Sequence, residues 1–150
     1  MDTIDRNILR LLQRDGRISN SDLATAVNLS ASACLRRVRL LEESGVIAGY
    51  YMALSKRKAG FNGNAFLFVS LDQQGRQALD QFEEAAKQLP EIIECYLIAG
   101  QSDYLMHVVY DAARGLEEIH TKIITELPGV IRVNTTMSLR TVKESKELPI

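Results

Sequence analysis

Six apolar patterns in the last ninety residues constrain this chain more than any other feature of it. They run strand, helix, strand, strand, helix, strand. Residues 64–71, carrying Phe66, Leu67, Phe68 and Val69, read as a strand. Over 75–89, Leu79, Phe82, Ala86 and Leu89 fall on one helical stripe, and Pro90 ends it. Residues 92–99 and 103–110 read as strands joined by a turn at Gly100, Gln101 and Ser102. Helical spacing returns over 112–127 through Leu116, Ile119, Ile123 and Leu127, and Pro128-Gly129 turns the chain into a last strand over 130–139. This order is the split βαβ, or ferredoxin-like, βαββαβ arrangement, an antiparallel sheet with both helices on one face. Phe, Tyr, Leu and Val alternate on both sides of these strands, so the second face needs a cover as well. A second copy of the sheet is the natural one, and a homodimer is expected.

The first sixty residues follow a different period. Ile4, Ile8, Leu11 and Leu12 recur at helical spacing among charged residues, predicting a helix over 3–14 that stops at Asp15-Gly16, with Gly16 in the left-handed conformation. Ser19 caps a second helix, with Asp22 three residues on in an approximate capping box. It reaches only to about Ala26, and two turns cannot stand alone. After the tight connection Asn28-Leu29-Ser30, Ser30 caps a third helix that Gly45 closes, with Ala31, Cys34, Leu35, Val38 and Leu41 on its inward face. A β-rich run over 46–54 reads as a strand leaving the bundle, followed by Lys56-Arg57-Lys58, which suits either a DNA backbone contact or a solvated hinge. The expected organisation is an α+β chain. Residues 1–60 form a three-helix, winged helix-turn-helix domain, and residues 61–150 form the ferredoxin-like domain.

In a helix-turn-helix the third helix enters the major groove with its N-terminal residues at the base edges. Ser30, Ala31, Ser32 and Ala33 are small enough for close approach, and the free amides there attract phosphate. Arg36 can reach guanine O6 and N7 bidentately, while Arg37 and Arg39 can neutralise phosphates. The alternative is an ordinary three-helix bundle with a solvated arginine face. The charge split suggests that the first segment, and not the second, meets an anion, as a partner of double-stranded DNA would. Residues 1–60 hold ten Lys/Arg against six Asp/Glu, whereas 61–150 hold eight against thirteen.

Other classes find little support. Cys34 and Cys95 lie far apart among apolar neighbours and read as two buried thiols, with neither zinc nor disulfide spacing. His107 and His120 lack a nucleophile or paired carboxylate nearby in sequence, and there is no phosphate-cradling glycine loop, so neither enzymatic activity nor a metal or cofactor is expected. No apolar run is long enough to span a bilayer. Met1 leads straight into a charged helical pattern, so no signal peptide and a cytoplasmic location are expected.

Five segments together resemble the Lrp/AsnC (leucine-responsive/asparagine-type, feast/famine) transcription regulators over essentially the whole chain. They are Ile4-Asp5-Arg6-Asn7-Ile8-Leu9; Asp15-Gly16-Arg17-Ile18-Ser19-Asn20; Cys34-Leu35-Arg36-Arg37-Val38 with Leu41-Glu42 and Gly45-Val46-Ile47; Gly100 with Asp103-Tyr104-Leu105; and the closing run from Val142-Lys143 to Leu148-Pro149. The resemblance implies a DNA-binding regulator built of homodimers, often assembled into an octameric ring, with a small effector, usually an amino acid, bound between dimers. It places that effector against Gly100, Gln101, Ser102, Asp103 and Tyr104, with Thr135, Thr136, Met137 and Ser138 offered by a neighbouring subunit. Gly100 would allow a tight turn with exposed amides for a carboxylate, and Asp103 would accept from an α-amino group. Read without the resemblance, the two are a hairpin turn and a turn-capping carboxylate. Two departures bear on specificity. Gln101-Ser102 stands where the family more often has an acidic residue and an aromatic, and the start of the third helix lacks the family's frequent proline.

Overall fold

The computed structural model describes residues 1–111, 115–145 and 147–150. The chain forms two units, Met1–Ala53 together with Val142–Ile150, and Leu54–Thr141.

The first unit holds α1 (Thr3–Arg14), α2 (Asn20–Ala26) and α3 (Ala31–Glu43). A capping box opens α1: Asp2 accepts the Asp5 amide and Asp5 accepts the Asp2 amide, each at 2.9 Å. Its end differs from the expected glycine stop. Asp15 is extended (φ −139°, ψ 91°) and its carboxylate accepts the Arg17 amide at 2.9 Å, so the chain turns through an Asx motif and Gly16 needs no positive φ. Ser19 caps α2 as expected, accepting the Asp22 amide at 3.1 Å and donating to the Asp22 carboxylate at 2.6 Å. The left-handed residue of this unit's tight turn is Asn28 (φ 56°). The Leu29 amide bonds Ala24 O at 2.9 Å and the Asn28 amide bonds Thr25 O at 3.2 Å, a Schellman closure with asparagine in glycine's usual place. That turn lets Val27 and Leu29, on either side of it, both pack into the core with Ile8, Leu9, Leu23, Ala24, Cys34 and Leu41. Burial against α1 and α3, rather than its own two turns of hydrogen bonds, holds α2.

Two expectations for this unit need correction. Residues 46–54 form no strand. After Gly45 (φ 75°) the Ile47 amide bonds Leu41 O at 3.0 Å, and the segment then runs irregularly, with Tyr51 85 % exposed. The β-branched and aromatic composition is right, but no described residue offers this stretch a hydrogen-bonding ladder, and a strand is defined by its partner. The closing run, expected within the second domain, instead packs with the first three helices. Gln13 clamps Leu148 from both sides, donating to its carbonyl at 3.2 Å and accepting its amide at 2.6 Å. The Arg10 guanidinium donates to the Ile150 carbonyl, Arg14 lies 3.7 Å from Glu147, and Ile150 packs against the three-helix core.

The second unit contains β1 (Phe61–Leu71), α4 (Arg76–Ala86), β2 (Ile92–Leu97), β3 (Tyr104–Asp111), α5 (Gly115–Glu126) and β4 (Val130–Met137), with an antiparallel sheet in the order β2-β3-β1-β4. This is the ferredoxin-like order. The expected start of the last helix at 112 lies outside the described residues. Leu67, Val69, Tyr104, Met106 and Val108 meet Phe82, Ile119 and Ile123 of the helices in the core. The opposite side of the sheet carries Phe66 and Phe68 from β1 and Leu105, His107 and Val109 from β3, and His107 stacks on Phe66 with ring centroids 4.7 Å apart. Where β1 shifts register against β3, Gly63 lets the Tyr110 ring lie against the backbone, and a side chain there would push the ring aside. Among the described residues no helix is long and apolar enough to cross a membrane.

Candidate nucleic-acid interface and ligand-binding site

The three sides of α3 do different work. Cys34 and Leu41 are buried in the core with Val38 beside them. On the side toward the start of α1, Arg37 donates to Asp2 at 2.8 Å and to Asp5 at 2.7 Å. The Asp5 amide, joined by the Arg37 guanidinium, holds the Asp2 carboxyl below the usual carboxylate range. Arg37 thus ties α3 to α1, which departs from the phosphate contact expected of it. The sequence shows an arginine between the solvent-facing Arg36 and Arg39 but not the acidic pair, over thirty residues upstream, that captures it.

The third side of α3 is open. Ser32, Leu35, Arg36, Arg39 and Leu40 are exposed along it, and neither Arg36 nor Arg39 has a hydrogen bond or ion pair to any described residue. Ser30 caps the helix, accepting the Ala33 amide at 3.3 Å, and Ser32 Oγ lies 3.3 Å from Ser30 Oγ. Ala31 is exposed and Ala33 half-buried, so the start of the helix presents only small groups. Asn20 donates its amide to the Ala31 carbonyl at 2.9 Å, which pins the start of α2 to the start of α3. Leu35 and Ala31 were both expected to face inward. The inward side of α3 is narrower than spacing of about 100° per residue suggests, because Cys34, Val38 and Leu41 pack into the three-helix core while Leu35 stays outside it.

At the end of the sheet where β2 turns into β3, the expected effector residues divide. Gly100 and Gln101 are exposed, and a side chain added at Gly100 would meet no atom within 4 Å. Ser102 and Asp103 are half-buried. The Asp103 carboxylate is engaged by its own chain, accepting the Leu71 amide at 2.8 Å on one oxygen and the Gln74 side-chain amide at 2.7 Å on the other. Its backbone amide bonds Val69 O at 2.9 Å. Asp103 therefore extends the ladder of β1 one step beyond the start of β3, using a side chain in place of a carbonyl. Tyr104, also expected at the effector, is a core residue: it is 1 % exposed, tilts against Phe82 with ring centroids 4.3 Å apart, and donates its hydroxyl to Glu83 at 2.9 Å. The strand alternation that puts Asp103 at the rim turns Tyr104 under the helices.

Thr135, Thr136 and Met137 pair with Leu67, Phe66 and Ala65, and the Ser138 amide bonds Asn64 O at 3.1 Å. They lie toward the start of β1, whereas the 100–103 turn adjoins its end at Val69 and Leu71. One subunit does not bring the two groups together. Thr136 and Met137 are exposed, while Thr135 Oγ1 is buried without a hydrogen-bond partner among described atoms. Cys95, expected to be buried, is exposed on the edge strand β2; Cys34 is buried.

Residues 1–48 match a winged helix-turn-helix DNA-binding family, and residues 64–148, more than half the chain, match the Lrp/AsnC ligand binding domain. The chain belongs to the Lrp/AsnC family. It is 37 % identical over all 150 residues to the leucine-responsive regulatory protein of Rhizobium meliloti, covering 96 % of that protein. Its fold is similar to that of an AsnC family transcriptional regulator from Agrobacterium tumefaciens (TM-score 0.94, 31 % identity, 99 % of this chain and 97 % of that one). It is also similar to a Neisseria meningitidis transcriptional regulator in complex with L-Met (TM-score 0.89, 28 % identity, 99 % and 96 %). This Lrp/AsnC protein is a transcription regulator with an N-terminal DNA-binding helix-turn-helix and a C-terminal ligand-binding domain. The open side of α3 lies in the first, and the 100–103 turn and β4 in the second.

Proposed function

We propose that this regulator reads double-stranded DNA with the open side of α3, and that an amino acid bound at the ligand-binding domain alters that reading. The observation that carries the proposal is the division of arginines on α3: Arg37 is held by Asp2 and Asp5, while Arg36 and Arg39 are exposed, with no ion pair among the described residues, on the side that shows Ser32. Arg36 serves as a bidentate reader of guanine, Arg39 neutralises phosphate, and the small residues Ser30, Ala31, Ser32 and Ala33 permit close approach. The effector lies against Gly100, Gln101 and Ser102, with Asp103 shaping the turn, and takes hydroxyls from Thr136 and Ser138 of a neighbouring subunit. Separation of these groups within one subunit supports a site shared between subunits. The apolar sheet side bearing Phe66, Phe68, Leu105 and Val109 supports a homodimer formed face to face, with further assembly toward an octamer joining the two parts of the site. The protein works in the cytoplasm without a cofactor and without catalysis.

A second reading, an architectural DNA binder indifferent to metabolites, is favoured by the internal engagement of both Asp103 oxygens. One experiment separates the two. Genomic fragments are selected by the protein with and without pooled amino acids at one stated salt concentration. Defined fragments whose yield changes with the pool support the proposal. Equal yield supports the architectural reading, and no enrichment at all overturns the assignment of α3.

A further inference from the structure

From the exposure of Leu35 we infer that it is a specificity-determining residue that reads the 5-methyl group of a thymine; the inference rests on the proposal that α3 enters the major groove. Leu35 is an unbranched-at-Cβ aliphatic side chain 39 % exposed in a helix whose inward positions, Cys34 and Leu41, are buried. It belongs to the fifth position of α3, within the N-terminal half that approaches base edges in this motif. At about 100° per residue, Leu35 and Arg36 flank the line of Ser32 and Arg39, one on either side. From Ser32 to Arg39 the helix rises about 10 Å, close to the rise of three base pairs. One apolar and one cationic probe therefore stand side by side over neighbouring bases.

The chemistry of the groove matches that pair. Among the four base pairs as seen from the major groove, the only apolar feature is the thymine methyl, and guanine offers the two acceptors a guanidinium fork requires. A solvent-facing leucine gains nothing from water, from phosphate or from a polar base edge, but gains by shielding a methyl group. Leu35 thus selects T·A next to the guanine that Arg36 selects. Leu40, also exposed on α3, lies beyond Arg39 toward the C-terminal end, where the helix leaves the bases, and has no such role.

The test uses the full chain and a double-stranded fragment recovered by selection with that chain. Each thymine is replaced singly by deoxyuridine, which removes only the methyl group. At one thymine position per half-site, loss of the methyl is expected to weaken binding about fourfold, the effect of withdrawing one buried methyl-sized group. Leu35→Ala, judged folded by its circular dichroism and melting temperature, is expected to bind the thymine and deoxyuridine fragments alike. Leu35→Met, which keeps an apolar tip, is expected to retain the difference. The inference is overturned if no single deoxyuridine substitution weakens the parent protein, or if Leu35→Ala keeps the parent's sensitivity at every position. Failure to select any fragment would instead overturn the DNA reading itself, and this inference with it.

Discussion

Replacing Asp103 with alanine removes two hydrogen bonds and strands a donor. The Leu71 amide, which bonds Asp103 at 2.8 Å, belongs to a residue 5 % exposed at the end of β1. With β3 starting only at Tyr104, no backbone carbonyl of that strand replaces the lost carboxylate. An amide left unsatisfied in that position costs roughly 1–3 kcal/mol, and the exposed bond from Gln74 adds little. For a domain of 60–100 residues each kcal/mol lowers the melting temperature by about 4–8 °C, so Asp103→Ala should melt roughly 5–20 °C below the parent. Asp103→Asn keeps one acceptor for the Leu71 amide and should fall between. The assay is thermal unfolding of the full chain with no amino acid added, followed by hydrogen exchange over residues 66–74, which should speed up in the alanine variant. The outcome decides how an effector experiment is interpreted, because a variant that unfolds its turn loses its response whether or not the carboxylate touches the ligand. A variant that melts and exchanges like the parent but no longer responds to the effector would refute the structural role assigned here and return Asp103 to direct contact.

Further outcomes are expected. Arg39→Ala should reduce the slope of log affinity against log salt by about 0.9, one phosphate contact, while Arg36→Ala should relax specificity at one base pair by about 1–3 kcal/mol; fluorescence anisotropy titrations at several salt concentrations measure both. Arg37→Ala should lower the melting temperature of the helical unit, since it unties α3 from Asp2 and Asp5. Asn28→Gly should be tolerated, whereas Asn28→Val, forcing a β-branched residue into φ 56°, should destabilise that unit by about 1–2 kcal/mol in chemical denaturation. Desolvation, aided by Glu83, pushes the Cys95 thiol up to about 11 from an ordinary 9.0, so alkylation near pH 8 should be slow although the residue is exposed. The same shift ties stability to pH. The unfolded chain loses this proton first, so its contribution is whole below pH 9.0 and declines as pH rises toward 11.

Periodicity and punctuation were enough to place the helices and sheet strands of the described residues and the caps at Ser19 and Ser30, because these depend on neighbours within a few residues. The family was equally legible, since it resides in short runs such as Gly45-Val46-Ile47 whose order survives without coordinates. What required tertiary structure were interactions between residues distant in sequence. Arg37 looks like Arg36 until Asp2 and Asp5 come within hydrogen-bonding distance. Leu35 reads as core until the packed helices enclose Cys34 and Leu41 and leave it exposed. Residues 46–54 have strand composition but no strand partner among the described residues, and 142–150 join the first unit because Gln13, Arg10 and Arg14 stand where they can meet Leu148, Ile150 and Glu147. Local conformational preference is a property of the chain and can be read from it. Burial, pairing and the capture of a charge belong to whichever surfaces the folded chain brings together, and the residues that supply those surfaces can lie more than a hundred positions away.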